Sequence, residues 1–232
     1  VATLALYDRI HPPKYQAVIR RWLRMTRAKH DPLGLIPHEV DAQEGTVITA
    51  ARGSSQSLML AILPEIDSAY ARQQFALYKA HFTDYRLGLP GVCEFPNGKI
   101  GMADVDSGPV LFGIGGAASI VGRRTMQQHG ETTLAVGLRN SIEAFGIPIT
   151  RNGQKAYLRG TLPIADAFIA WSNGLEATVP MVNETPWRRK FQFYSLLTAS
   201  AVVLLLIWLW RKAGHNKKGM VRDHPLDKTS SA

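Results

Sequence analysis

Residues 64–90 read PEIDSAYARQQFALYKAHFTDYRLGLP, and this stretch sets the pattern for most of the chain. Pro64 and Asp67 suit the start of a helix, and the apolar residues that follow recur at helical spacing. The stretch closes on a Gly-x-Pro turn at residues 88–90. The pattern predicts an amphipathic helix over residues 64–82, followed by a loop.

The same order continues on both sides of this stretch. Helices with a polar face alternate with helices of small and apolar residues, and the pair occurs three times in the chain. The polar-faced helices are predicted over residues 13–29, 64–82 and 130–145, and the apolar ones over residues 53–63, 107–126 and 163–175.

Turns of the Gly-x-Pro type, or a near variant, follow the polar-faced helices. They begin at Gly34, Gly88 and Gly146, which are 54 and 58 residues apart. The second and third loops also carry Asn-Gly pairs at residues 97–98 and 152–153, which are a strong β-hairpin signal. Such a period is typical of a repeat architecture, whose unit here is an outer helix, a loop with a β-ribbon, and an inner helix.

This order of elements over residues 13–176 resembles the (α/α)6-toroid, or six-hairpin, superfamily. Glycoside hydrolases, polysaccharide lyases and linalool dehydratase/isomerase-like enzymes share that fold. The resemblance implies a mainly α fold of toroid-type helical hairpins with small β-ribbons in the loops. A full toroid has six hairpins and three are visible here, so we expect a segment before Val1 or a partner chain to complete it.

The C-terminal part of the chain carries a different signal. Phe191 to Trp210 read FQFYSLLTASAVVLLLIWLW, twenty residues without a charge, which is long enough to cross a bilayer as a helix. Basic residues flank this run and aromatic residues lie at both ends, as expected at membrane interfaces. We predict a helical-hairpin domain (1–180), a basic juxtamembrane linker (181–190), a transmembrane helix (191–210) and a basic cytoplasmic tail (211–232).

The distribution of charge decides which partners to expect. The net charge of +9 is concentrated in residues 1–30 and beside the apolar run, whereas residues 31–187 hold eleven Lys/Arg and fifteen Asp/Glu. A mildly acidic body does not suit nucleic-acid binding, so the lipid bilayer is the expected macromolecular partner. Six basic residues follow the run and three occur in the twenty residues before it, which favours a cytoplasmic tail and a periplasmic or extracellular body. Export of the body would need a signal upstream of Val1, so we expect sequence to be missing there.

The resemblance to toroid enzymes implies that the loops before the inner helices gather at one mouth. Asp104 and Asp106 would point to the same side of an extended segment, where two acids can divide into a general acid and a general base. Helix capping is the alternative for Asp106 and for Asp166. The predicted catalytic residues are Asp104, Asp106, Glu39 and Asp166, and the predicted substrate-binding residues are His38, Cys93, Glu94, Tyr157 and Arg159.

No metal and no cofactor are expected. His38 is the one histidine in its acidic loop, and the chain lacks His-x-x-x-His and Cys-x-x-Cys spacings. Residues 113–118, GIGGAA, match a dinucleotide-binding pattern. However, Glu131 begins an amphipathic helix instead of ending a second strand, so close helix packing explains these small residues.

The resemblance to toroid enzymes, together with the apolar run, implies a membrane-anchored acid/base enzyme, a hydrolase or lyase that acts on a glycan or another polyhydroxylated substrate. The first alternative is a linalool dehydratase/isomerase-like enzyme that uses Cys93 on a small terpenoid alcohol. The second is a non-catalytic scaffold at the membrane. A glycan enzyme requires an open cleft with facing carboxylates, whereas a terpenoid enzyme requires a closed apolar pocket with Cys93 in its wall.

Overall fold

A computed structural model describes residues 1–96, 99, 101–102, 107–175 and 187–220, with side chains up to residue 213. The protein is mainly helical, with small antiparallel strand pairs. It divides into two units, Val1–Trp187 and Arg188–Ala232.

Seven α-helices lie in the described part of the first unit: α1 (Ala2–Ile10), α2 (Gln16–Ala28), α3 (Gly53–Leu60), α4 (Ser68–Phe82), α5 (Gly116–Gln128), α6 (Thr132–Phe145) and α7 (Pro163–Asn173). The strands form four two-stranded antiparallel ribbons: β1 (Glu39–Val40) with β2 (Val47–Thr49), β3 (Thr83–Arg86) with β4 (Leu89–Val92), β5 (Val110–Leu111) with β6 (Ile114–Gly115), and β7 (Ile149–Arg151) with β8 (Gln154–Ala156).

The six predicted helices are present, in order, as α2, α3, α4, α5, α6 and α7. Helix α5 packs against α3, α6 and α7. Gly122 of α5 also allows a close approach to three other elements: an added Cβ atom would lie 2.8 Å from Val92 of β4, 2.9 Å from the Tyr78 hydroxyl of α4 and 3.2 Å from the Ser57 hydroxyl of α3.

The main core lies among α3, α4, α5 and α6, with strand β4 beside them. Its fully buried members include aromatic residues of α4 and leucines from three segments, namely Tyr78, Phe82, Leu35, Leu60, Leu63 and Leu138. Trp22 and Leu23 of α2 pack against this cluster, so the apolar side of α2 faces the core. The helical spacing in the sequence therefore identified the buried faces of α4 and α6, whereas no residue of α2 is fully buried.

Two predicted helix starts are wrong. The helix expected over residues 64–82 begins at Ser68, after a short 3-10 turn at Leu63–Glu65, because the Asp67 side chain accepts the Tyr70 N–H as an N-cap. The helix expected over residues 107–126 begins at Gly116. Residues Val110 to Gly115 instead form the β5–β6 hairpin.

Turns with left-handed backbone explain why the chain forms hairpins at residues where a helix or a loop was predicted. Phe112 and Gly113, at the β5–β6 turn, have φ of 52° and 83°. Leu87 and Gly88, at the β3–β4 turn, have φ of 51° and 76°. Positive φ at both central residues is the geometry of a type I′ hairpin turn. The Gly-x-Pro signal at Gly88 therefore belongs to a tight β-turn.

The fourth ribbon confirms the Asn-Gly prediction. Asn152 and Gly153 connect β7 to β8 with φ of 51° and 76°. The first ribbon, β1–β2, has no such pair and is joined through Asp41, whose side chain accepts the N–H groups of Gln43 and Glu44. The Asn-Gly pair at residues 97–98 lies outside the described residues.

The described part of the second unit is a single helix, α8 (Trp187–Met220). Its segment Trp187–Ala213 is long and apolar enough to cross a membrane, and none of its residues is buried. The helix is longer at both ends than the uncharged run at residues 191–210, because the flanking basic residues continue the helix without a breaker.

Candidate functional site

Glu94 occupies the junction between strand β4 and helix α3. Its side chain is fully buried. The backbone carbonyl of Glu94 accepts the Gly53 N–H at 2.9 Å, and its carboxylate accepts the Ser54 N–H at 3.2 Å and the Ser54 hydroxyl at 2.9 Å. The first N–H groups of a helix have no partner within the helix, so Glu94 satisfies the start of α3 from a distant part of the chain.

The charge of Glu94 is balanced by Arg52. The Arg52 Nε atom lies 3.1 Å from Glu94 Oε1, and the Arg52 side chain is nearly as buried as that of Glu94. On its other side the guanidinium lies over the Phe95 ring, 5.1 Å from the ring centroid. The ion pair thus fixes Arg52 between a carboxylate and an aromatic face.

A second helix start lies beside the same carboxylate. A Cβ atom added at Gly115, the residue before α5, would be 3.0 Å from Glu94 Oε2. The N-termini of α3 and α5 both carry partial positive charge, which favours a carboxylate at this point. Arg52 and the starts of the two helices therefore place positive charge around the Glu94 carboxylate.

A cavity of about 150 Å³ opens on the Arg52 side of this cluster. It combines apolar walls with two cationic side chains and one carboxylate, and is lined by Asp31, Pro32, Leu33, Thr49, Ala50, Ala51, Arg52, Phe95, Pro96 and Lys99. Asp31 does not offer its oxygens freely, because they accept the N–H groups of Leu33, Leu35 and Ala51. Arg52, Lys99 and the Phe95 ring are the groups of the wall suited to hold a polar ligand.

Cys93 supports this junction and is absent from the cavity wall. It is buried, and its N–H donates to the Phe82 carbonyl at 2.7 Å. Burial, and then the nearby Asp84 carboxylate, raise the pKa of the Cys93 thiol. The thiol consequently keeps its proton near neutral pH, which does not suit a nucleophile.

The two site residues predicted in the first loop, His38 and Glu39, lie at the start of strand β1. Glu39 is exposed and accepts the Thr49 hydroxyl at 3.0 Å across the β1–β2 ribbon. His38 is half-buried, and its Nδ1 atom has no hydrogen-bond partner within the described part of the chain. Neither residue lines the cavity beside Arg52.

The predicted residues of the third loop belong to a separate cluster. Asp166, in the first turn of α7, accepts the Tyr157 N–H at 2.8 Å. The Tyr157 hydroxyl donates to Glu143 of α6 at 2.6 Å, and Lys155 binds the same carboxylate. Arg159 is exposed in a left-handed backbone conformation with φ of 58°. Asp166 and Tyr157 thus contribute hydrogen bonds that hold this loop on α6 and α7.

Asp104 and Asp106 lie outside the described residues. Among the residues that are described, no group of three or more His, Cys, Asp or Glu side chains could hold a metal ion.

Sequence reasoning missed Arg52, Ser54 and Asp31 as parts of the site. Arg52 and Ser54 flank the glycine at the start of an apolar helix. An arginine at such a position is normally expected to be exposed to solvent. A pairing of Arg52 with Glu94, forty-two positions later, has no local signal. The one available clue was the Arg-Gly-Ser sequence at the start of α3, since a helix start attracts polar partners.

No protein-family model matches this sequence, and no curated protein is significantly similar to it.

Proposed function

We propose that this chain is a membrane-anchored acid/base enzyme, a hydrolase or lyase, that binds a glycan or another polyhydroxylated substrate at the cavity beside Arg52. The observation that carries the proposal is a buried arginine fixed at a cavity wall. Burying an ion pair costs several kcal/mol per ion in desolvation, so apolar residues would join α3 to β4 at a lower cost in free energy than the Arg52–Glu94 pair. Functional sites are where such arrangements concentrate.

The chemistry of the wall fits a sugar. Arg52 and Lys99 can donate hydrogen bonds to hydroxyl or carboxylate oxygens, and Phe95, whose ring lies under the Arg52 guanidinium, adds apolar surface to the wall. Glu94 is a positioning residue in this proposal, because its oxygens already accept hydrogen bonds from Ser54 and pair with Arg52. Asp104 and Asp106, in the loop that follows Lys99, are the proposed general acid and general base.

The toroid arrangement and the membrane orientation belong to the same proposal. The side-by-side packing of α5 with α3 and α7 supports an inner layer of helices, and the loops before α3 and α5 meet at Glu94. We propose that α8 anchors the protein, with the body periplasmic or extracellular and the basic tail cytoplasmic, because more basic residues follow the apolar run than precede it.

A second candidate is a dehydratase/isomerase-like enzyme on a small terpenoid alcohol. The protonated state of Cys93 favours it, since a thiol with a raised pKa can protonate a departing hydroxyl group. The position of Cys93 behind the cavity wall counts against it, because such a donor must reach the substrate.

The test is a substrate screen with the full chain reconstituted in nanodiscs. One panel holds neutral and acidic polysaccharides, assayed for new reducing ends and for unsaturated uronate products. The other holds small terpenoid alcohols, assayed by gas chromatography for alkenes and isomers. Turnover in the first panel is expected, with KM raised in Phe95→Ala. Turnover in the second panel alone would replace the proposal by the second candidate, and no turnover in either would favour a scaffold.

A further inference from the structure

Helix α2 presents a basic face on the side opposite the core. Because Trp22 and Leu23 pack against the core, the positions on the other side of the helix face outward. These outward positions, called the α2 basic face here, are Ala17, Val18, Arg20, Arg21, Arg24, Met25, Arg27 and Ala28, and all eight are exposed.

Positive charge on this face is poorly compensated. Arg27 pairs with the Asp67 carboxylate, and Arg20 contacts the Gln16 amide oxygen at 3.4 Å. Arg21 and Arg24 form no ion pair in the part of the chain that the structure describes. Helix α2 itself contains no acidic residue. A solvated surface helix normally mixes both signs of charge, so this face is complementary to an anionic partner.

Exposed apolar side chains on the same face indicate which class of anionic partner it fits. Val18 is 50% exposed and Met25 is 57% exposed, next to Arg21 on the helix surface. Arginines beside exposed apolar residues suit the interface of a bilayer, where the cations meet lipid phosphates and the apolar groups enter the acyl boundary. A nucleic-acid backbone would use the arginines but would give Val18 and Met25 no apolar environment.

We propose that the α2 basic face binds anionic lipid headgroups, so that the helical body has a second membrane contact besides the apolar helix α8. This inference goes beyond the proposed enzyme activity, since it concerns how the body is held at the bilayer. A weak contact by the α2 basic face is sufficient, because a membrane anchor on the same chain keeps the local concentration of lipid high for it.

The experiment uses the full chain in nanodiscs of phosphatidylcholine alone or with phosphatidylglycerol. A nitroxide spin label on Met25→Cys reports its surroundings through its relative accessibility to oxygen and to a water-soluble nickel chelate. A label on the exposed Gln154→Cys serves as the site control. Cys93 is buried and accepts little label. The charge variant is Arg21→Gln with Arg24→Gln, and the matched control is Arg72→Gln with Arg151→Gln, which removes equal charge elsewhere.

In the nanodiscs with phosphatidylglycerol we expect the Met25 label to shift from water-accessible to oxygen-accessible, and the Gln154 label to stay in water. The α2 charge variant should lose this shift and the control variant should keep it. A Met25 label that stays in water in both lipids would overturn the proposal. So would a shift that survives in the α2 charge variant, or immobilisation of the label by an RNA oligonucleotide without any response to anionic lipid.

Discussion

The substitution Gly53→Ala probes the contact that holds the proposed site together. Gly53 is the first residue of α3, and a Cβ atom there would lie 1.9 Å from the Cys93 carbonyl oxygen. Ordinary contacts begin at 3.4 Å, so α3 and the chain after β4 would have to separate by about 1.5 Å. The obstructing atom is backbone, which cannot rotate away as a side chain can.

The cost follows from overpacking and from a lost hydrogen bond. Overpacking a tight site costs about 1–3 kcal/mol, and separating the Gly53 N–H from the Glu94 carbonyl costs about 1 kcal/mol more. We therefore expect Gly53→Ala to lower the free energy of unfolding by about 3 kcal/mol. The assay is urea unfolding of the full chain in detergent micelles, followed by tryptophan fluorescence.

Gly116→Ala is the matched control, because Gly116 is likewise the first residue of its helix, α5. Its added Cβ atom would lie 3.2 Å from the Pro109 carbonyl oxygen, so a shift of a few tenths of an ångström accommodates it. Alanine also has the higher helix propensity, and the net change should stay within about 1 kcal/mol. Equal effects of the two substitutions would refute the close approach of α3 to Cys93.

Three further predictions concern buried polar groups. Arg123→Met should lower the unfolding free energy by about 2 kcal/mol in the same urea assay, because Arg123 is fully buried and donates to the Ser172 carbonyl at the end of α7. An unchanged urea midpoint would contradict this prediction. His129 stacks on Phe75 at 4.1 Å, and burial lowers its pKa, so the unfolded chain binds the proton more readily and stability should fall as pH drops below about 6.5. His129→Phe should flatten this part of the pH–stability curve, and a curve identical to wild type would exclude His129 as the cause. The Cys93 thiol should react slowly with iodoacetamide near neutral pH and rapidly in urea, because burial raises its pKa; fast labelling of the folded chain would restore it as a candidate nucleophile.

The sequence predicted the features that depend on residues close together along the chain. Helical spacing of apolar residues identified the buried faces of α4 and α6, and the Asn152-Gly153 pair identified a hairpin, since both signals depend on neighbouring residues alone. Helix starts were less predictable. The β5–β6 hairpin replaces the first turns of a predicted helix, because the left-handed turn at Phe112 and Gly113 has a weak sequence signal.

The candidate site was predictable only in outline. The expectation that polar loop residues meet near the inner helices fits Glu94, which contacts the starts of α3 and α5. Its partner Arg52 and the Asp31 turn depend on contacts between distant segments, which spacing does not encode. Asp166 and Glu39 accept hydrogen bonds within their own neighbourhoods, so they are candidates for structural roles.

The most direct test of the central claim is the turnover number of an Asp104→Asn, Asp106→Asn variant on the glycan that the wild-type chain processes. Glu44→Gln, an exposed acid of the first loop, is the control. General acid–base catalysis raises the reaction rate roughly 100-fold to 10,000-fold. We therefore expect the variant to lose at least about 100-fold in turnover number, with its urea midpoint unchanged. A variant as active as Glu44→Gln would show that these carboxylates do not carry the reaction.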